Sequence, residues 1–253
     1  RIRKIRRAVD RMMVLFPFEE TFYRSHGVSA KFVGHPAADD IEQISRKQAR
    51  EKLAGEGVQA DRTTIALLPG SRRSEIDYLG RLFLDTAERI TQANSEIQFI
   101  LPVANTSVAQ QLRDLVDRYK GGPNVLLTEE NARLAIAAAD VGLIASGTAA
   151  LEAALLVRPM VVAYKVSGLS YLLARLLAKV RHVSMPNHLT EEPMVKEFLQ
   201  GDANVDNLYG EIQRVLTDRL YREKIEHAFQ GLTGMLRNNA SDTIAKELVY
   251  MTG

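Results

Sequence analysis

The chain has 253 residues, no Cys and no Trp; it is 46% hydrophobic and 25% charged, with 33 Lys+Arg against 31 Asp+Glu. These proportions argue against bulk disorder; without cysteine no disulfide framework or Cys-based metal site can form, and a formal charge of +2 is too small to imply nucleic acid. No apolar run reaches the roughly 18 residues of a membrane-spanning helix, and no secretory leader is visible.

The chain opens Arg-Ile-Arg-Lys with no initiator Met, so a piece of a longer protein is expected. Its first eleven residues carry six basic side chains, with Ile2, Ile5, Val9 and Met12 at helical spacing. That is a basic amphipathic helix. Its polar face reads as ordinary solvated surface, as a face attracted to an anionic membrane or, though no aromatic interleaving or known binding motif accompanies the charge, as a nucleic-acid contact. Met12 to Phe16 reads as a short strand ended by Pro17, Glu19 to His26 as a helix stopped by Gly27, and Lys31 to Val33 as a strand. Gly34-His35-Pro36 reads as a turn or linker, with a domain boundary near 34–40. Ser45 to Ala54 is a polar helix, and Gly55 to Arg62 a loop.

From Thr63 the pattern becomes regular. Strands are expected at 64–68, 97–103, 124–128, 141–145 and 160–164. Helices are expected at about 74–94, 108–119, 131–139 and 149–156, then at 168–179 and over 205–250. The strands are apolar throughout and helices separate them, as in an α/β fold with a parallel sheet covered on both faces.

Ligands of such sheets bind beyond the carboxyl ends of the strands. Two turns there carry chemistry. In Pro69-Gly70-Ser71-Arg72, glycine lets the backbone approach a ligand, a helix N-terminus follows, and Arg72 adds a guanidinium suited to phosphate. An ordinary strand-to-helix turn with a solvated arginine is the alternative. In Ser146-Gly147-Thr148, a small polar loop opens an Ala-rich helix, and Glu152 lies four residues after Thr148 on the same side. A carboxylate there can accept from a ribose diol while the helix N-terminus holds a diphosphate. The alternatives are N-capping by Ser146 or Thr148 and a salt bridge or solvent for Glu152. Lys165 is a further phosphate candidate, or a solvated lysine. Asn187 reads equally as a turn residue after Pro186, and Glu197 as a surface helix residue. No two of the five histidines have metal-ligand spacing. His26 and His227 read as helix-surface residues, His182 and His188 lie beside Asn187, and His35 reads as shaping a hinge.

The strings LLPGSRRSEI, ASGTAALEAALLVRPMVVAYKVS and HVSMPNHLTEEPMVKEFLQ, in this order, resemble the lipid-A-disaccharide synthase family. The upstream MVLFPFEETFYRSHGV and FVGHPAADD resemble it too, so the likeness covers nearly all the chain. SGTAALE alone indicates only a nucleotide-sugar transferase of the two-Rossmann, GT-B type; VSMPN with VKEFLQ is far more specific. The resemblance implies an inverting hexosyltransferase of lipid A and lipopolysaccharide biosynthesis. It would move 2,3-diacylglucosamine from UDP-2,3-diacylglucosamine to 2,3-diacylglucosamine 1-phosphate and release UDP, with no cofactor and no metal. It implies that Gly70, Ser71, Arg72, Ser146, Gly147, Thr148, Glu152, Lys165, Asn187, Glu197 and Gln200 meet the UDP-sugar, Arg72 and Asn187 taking part in catalysis. It also implies a Gram-negative source, a peripheral place on the cytoplasmic face of the inner membrane, and a homodimer in which the last helix exchanges between protomers.

The same resemblance implies an organisation. Residues 1–34 would end an N-terminal acceptor domain, 35–62 form a linker and helix, 63–230 bind the UDP-sugar, and 231–253 cross back to the first domain. The family's glycine-rich acceptor loop and proposed Asp base do not lie in this sequence, so the chain alone is expected to bind UDP but transfer poorly. The family's usual Asn-Leu-Leu-Ala-Gly-Arg-Glu is Asn187-His188-Leu189-Thr190-Glu191-Glu192-Pro193 here, which removes a basic contact. The stripe Leu169, Leu172, Leu173, Leu176 and Leu177 reads as buried packing or as membrane contact. The rival readings are another GT-B enzyme acting on UDP-GlcNAc, an epimerase or a transferase, and a non-catalytic nucleotide-binding module.

Overall fold

A computed structural model describes residues 2–103, 106–129, 131–167 and 182–252. The expected helix at 168–179 and its leucine stripe lie outside these residues. The chain divides into two compact units, one of residues 1–42 with 230–253 and one of residues 43–229.

The larger unit is built on one six-stranded, all-parallel sheet. Its strands are β3 (Thr64–Leu68), β4 (Gln98–Pro102), β5 (Asn124–Thr128), β6 (Val141–Ala145), β7 (Met160–Tyr164) and β8 (Glu197–Leu199), in spatial order β5-β4-β3-β6-β7-β8. Register runs Ile65 to Val141 on one side of β3 and Ile65 to Phe99 on the other. Every residue of β3, β4 and β6 is buried, as expected of strands covered on both faces. Counted from β3, this is the doubly wound order 3-2-1-4-5-6, whose direction reverses between β3 and β6.

Helices α5 (Arg73–Ala93), α6 (Thr106–Asp117) and α10 (Val205–Thr217) form one layer. Helices α4 (Arg46–Lys52), α7 (Ala132–Ala138), α8 (Thr148–Leu155) and α9 (Met185–Leu189) form the other. α5 buries Ile76, Leu79, Phe83, Leu84, Ala87 and Ile90, the i, i+3, i+4 spacing of one apolar stripe. Each fully buried Leu or Phe of this kind contributes about 2–3 kcal/mol. Two arginines knit the second layer. Arg50 donates to the carbonyls of Ala138 and Ala60 and pairs with Asp140 at 2.6 Å. Arg158, 9% exposed, donates to the carbonyls of Ala137, Leu156, Val157 and Ile44. Burial and the nearby Arg46 lower its pKa to about 10.

The smaller unit holds α1 (Ile2–Ala8), the parallel pair β1 (Met12–Val14) and β2 (Ala30–Phe32), α2 (Pro17–Ser25), α3 (Pro36–Asp40) and α12 (Ala240–Thr252). Helix α11 (Arg219–Leu236) contains the boundary at 229/230. Asp39 accepts from the N–H groups of Asn238, Asn239 and Ala240, at 3.1, 3.0 and 2.6 Å, anchoring the start of α12. Glu247 of α12 pairs with Arg11 and Lys31, and Lys31 beside it holds its carboxyl below the usual range.

Three expectations need correction and one gains detail. Pro17 does not merely end β1; it opens α2 at the first helical turn, where its missing N–H costs nothing. Gly34-His35-Pro36 is not a free linker, because the His35 ring accepts from the Ala37 N–H at 3.1 Å and caps α3. The helices expected over 205–250 number three, with breaks at Asp218 and at Arg237–Asn239, where Asn239 takes φ +48°; this refines that reading rather than correcting it. Glu197 lies in the edge strand β8, not on a surface helix.

Candidate functional site

The turns after β3 and β6 meet at the point where strand order reverses, and they line one cavity of about 330 Å³. Gly70, Ser71, Arg72, Ser146, Gly147, Thr148 and Glu152 all border it, with Pro102, Ala132 and Glu75. Two larger cavities, about 580 and 600 Å³, lie along α5 and α6. Exposed side chains of both signs line those, among them Arg81, Glu88 and Arg118. The switch-point cavity instead joins a helix N-terminus to a few converging polar groups, the usual make-up of a ligand site.

Gly70 adopts φ +122°, and a Cβ there would overlap the Cβ and carboxylate of Glu75. Glu75 reaches back across the turn and accepts from the N–H groups of Ser71 and Arg72, at 2.9 and 3.2 Å. It also accepts from Arg72 Nη1 at 3.3 Å. The donors that an incoming anion would use therefore already hold a carboxylate. The Arg72 side chain is 79% exposed, so this single exposed contact leaves its guanidinium free to swing.

The second turn is open. Gly147 takes φ +158°, and a Cβ built on it meets nothing within 4 Å. It is the N-cap of α8 and, as glycine, offers no side-chain acceptor to the first N–H groups. Such groups have no acceptor within the helix and carry positive potential. Neither N-capping alternative holds: Ser146 Oγ donates instead to the Val183 carbonyl at 2.6 Å, and Thr148 makes no cap. Ala150, Ala153 and Ala154 are fully buried, so α8 lies close on the sheet and its N-terminus is fixed. Glu152 accepts from Arg133 Nε at 2.9 Å. Among the described residues its other oxygen, Oε2, accepts no hydrogen bond.

Asn187, Glu197, Gln200 and Lys165 do not border this cavity. Asn187 is 4% exposed. Its Nδ2 donates to the Val195 carbonyl and to Glu197 Oε1, both at 2.8 Å, and its Oδ1 accepts from the Met194 and Val195 N–H groups, both at 2.9 Å. An amide has no more capacity than this, so the Asn187 side chain is saturated by the loop it holds together. Glu197 likewise accepts from Val183 N, Ser184 N and Ser184 Oγ, at 2.9, 3.0 and 2.5 Å. His182 Nδ1 lies 3.9 Å from it. The Val183 carbonyl receives Ser146 Oγ, so this buried hub braces the second turn. Gln200, at φ +49°, exchanges hydrogen bonds with the backbone of Val166. Lys165 is half-buried just after β7.

Two contributors are not apparent from the sequence. Glu75 completes a capping arrangement whose N-cap is Arg72, not the Ser, Thr, Asp or Asn that marks one. Arg133 lies 19 positions from Glu152, on another helix, and no local spacing pairs them. Among the described residues, no group of three His, Asp or Glu could hold a metal ion, and no helix is long and apolar enough to cross a membrane.

The family model described as lipid-A-disaccharide synthetase matches residues 1–248. A lipid-A-disaccharide synthase of Hahella chejuensis is 40% identical over 252 residues, which is 99% of this chain and 63% of that one. Another, of Anaeromyxobacter dehalogenans, is 44% identical over 223 residues, 88% of this chain and 57% of that one. The chain thus spans about three fifths of the length of these relatives. Among solved structures, the S. aureus MnaA–UDP co-structure superposes with a TM-score of 0.60 at 15% identity, over 87% of this chain and 55% of that one. At that identity the likeness concerns the fold, which is of the GT-B type.

Proposed function

The chain belongs to the lipid-A-disaccharide synthase family, and from that premise we propose that residues 43–229 bind the UDP-2,3-diacylglucosamine donor of an inverting hexosyl transfer. The observation that carries this reading is the cavity at the β3/β6 switch point, with an uncapped helix N-terminus, an exposed arginine and a carboxylate around it. The diphosphate sits at the N-terminus of α8, where the backbone of Gly147 admits close approach. Ser146 and Thr148 flank it, and Gly70 and Ser71 form the facing wall. Arg72 turns inward onto the diphosphate and, with α8, stabilises the charge that grows as the sugar leaves. Glu152 accepts from the ribose hydroxyls. Asn187, Glu197 and Gln200 act as positioning residues that hold the loops flanking the site, and Lys165 supplies positive charge at its edge.

In the transfer, the 6-hydroxyl oxygen of 2,3-diacylglucosamine 1-phosphate forms a bond to C1 of the donor sugar. The bond from C1 to the diphosphate oxygen breaks, its electron pair leaves with UDP, and a base takes the hydroxyl proton. The residues named here serve the leaving group.

The smaller unit is the proposed contribution to the acceptor side and to membrane contact at the inner membrane's cytoplasmic face. In support, Arg3, Lys4, Arg6 and Arg7 of α1 are exposed, and so are Phe18 and Phe22 of α2. Such a surface suits anionic lipid. Exposed Tyr250 and Met251 near the end of α12 support pairing with a second copy.

Competition calorimetry tests the donor assignment. UDP and UDP-2,3-diacylglucosamine should bind saturably and exclude each other. Independent binding of both, or binding of neither to the folded chain, would overturn it.

A further inference from the structure

We propose that Arg133 is a positioning residue for Glu152, and that this pair makes the site read the ribose diol as well as the diphosphate. The inference rests on the assignment of Glu152 to the ribose. A glutamate at the edge of a cavity has three side-chain torsions and samples several rotamers, so its affinity for a diol is reduced by the ordering it must undergo. Here one oxygen is already held. Arg133 Nε donates to Glu152 Oε1 at 2.9 Å, a charge-assisted contact.

The arginine is itself mounted on fixed backbone. Asn131 Oδ1 accepts from the Leu134 N–H at 3.0 Å and caps α7, placing Arg133 in the first turn. Its neighbour Ala132 borders the cavity. α7 continues into the fully buried run Ala135 to Ala138, packed against α8. Oε2 of Glu152 is left to accept from one ribose hydroxyl, and Oε1 keeps a lone pair for the other. A guanidinium in this place does not need to touch the ligand. It acts by where it holds the carboxylate.

The test compares three ligands: UDP, 2′,3′-dideoxy-UDP and inorganic pyrophosphate. Each is titrated by calorimetry into the wild-type chain, Arg133→Ala, Arg133→Lys, Glu152→Ala and the double Ala variant, with melting curves to confirm folding. Arg133→Ala should weaken UDP about tenfold, the scale of one lost charge-assisted contact. It should leave dideoxy-UDP and pyrophosphate within about twofold, and Arg133→Lys should recover part of the loss. In the Glu152→Ala background, removing Arg133 should add nothing. Equal weakening of all three ligands would make Arg133 a phosphate contact or a purely structural residue and would overturn the inference. So would additive losses in the double variant. If Glu152→Ala weakens UDP but Arg133→Ala does not, the inference falls and the ribose assignment stands. If the folded wild-type chain does not bind UDP, or Glu152→Ala leaves its affinity unchanged, the ribose assignment falls and takes this inference with it.

Discussion

A Cβ on Gly70 would overlap Glu75, whereas a Cβ on Gly147 would enter open space beside the cavity. The two glycines follow adjacent strands and both take positive φ. Gly70→Ala should therefore lower stability by about 1–3 kcal/mol, through backbone strain together with displacement of Glu75. Gly147→Ala carries the backbone term alone and should cost less stability. It should weaken UDP more strongly, since the added methyl stands where the diphosphate is placed. Denaturant melts and calorimetry on both variants check the contrast; equal stability losses with unchanged UDP affinity would contradict it. At this scale the sequence was informative where chemistry is local. Arg72 and Glu152 stand out because glycine, hydroxyl and charge lie within a few residues of one another. Glu75 does not, because its N-cap partner Arg72 is not a residue type that marks a capping box, and Arg133 does not, because only the folded chain brings it to Glu152. Asn187 stood out from the Pro-Asn pair and the family motif, but its hydrogen bonds to Val195 and Glu197 lie beyond what those local signals specify.

His35 joins a titratable side chain to the start of an element. Its ring nitrogen accepts from the Ala37 N–H, which requires the neutral imidazole. Burial lowers its pKa, partly opposed by Asp39. With the folded pKa below the unfolded value near 6.5, the unfolded chain takes up the proton first as pH falls. The contribution of His35 is thus complete above about pH 6.5 and is lost as pH drops through its folded pKa. The wild-type chain should lose thermal stability between pH 7.5 and 5.5. His35→Asn, which keeps an N-cap acceptor without a titrating group, should lose less. Identical pH profiles for the two would contradict the assignment. The strands β3, β6 and β7 could be placed to the residue because their largely apolar, buried runs stand apart from the helices between them, and the edge strand β5 from the short run Val125-Leu126-Leu127 between Asn124 and Thr128. β8 could not: it has three residues, begins with Glu197, and depends on pairing with β7. α3 was hidden for a similar reason, because Pro36 marks a turn and a first helical position equally well.

For the whole molecule, the order β5-β4-β3-β6-β7-β8 places the turns after β3 and β6 side by side, although Gly70 and Ser146 are 76 positions apart. Alternation of apolar strands and helices foretells a parallel sheet. It does not fix strand order, which follows from crossover handedness and packing. The switch point brings two unremarkable turns together around one cavity, for which the proposed ligand is the UDP-sugar. The central claim is that UDP binds there, and calorimetric titration of UDP into the chain, Arg72→Ala and Glu152→Ala tests it most directly. The wild-type chain should bind UDP saturably, and each variant about tenfold or more weakly as a charged contact is removed, with melting curves unchanged. Undiminished UDP affinity in both variants would place the nucleotide elsewhere and contradict it.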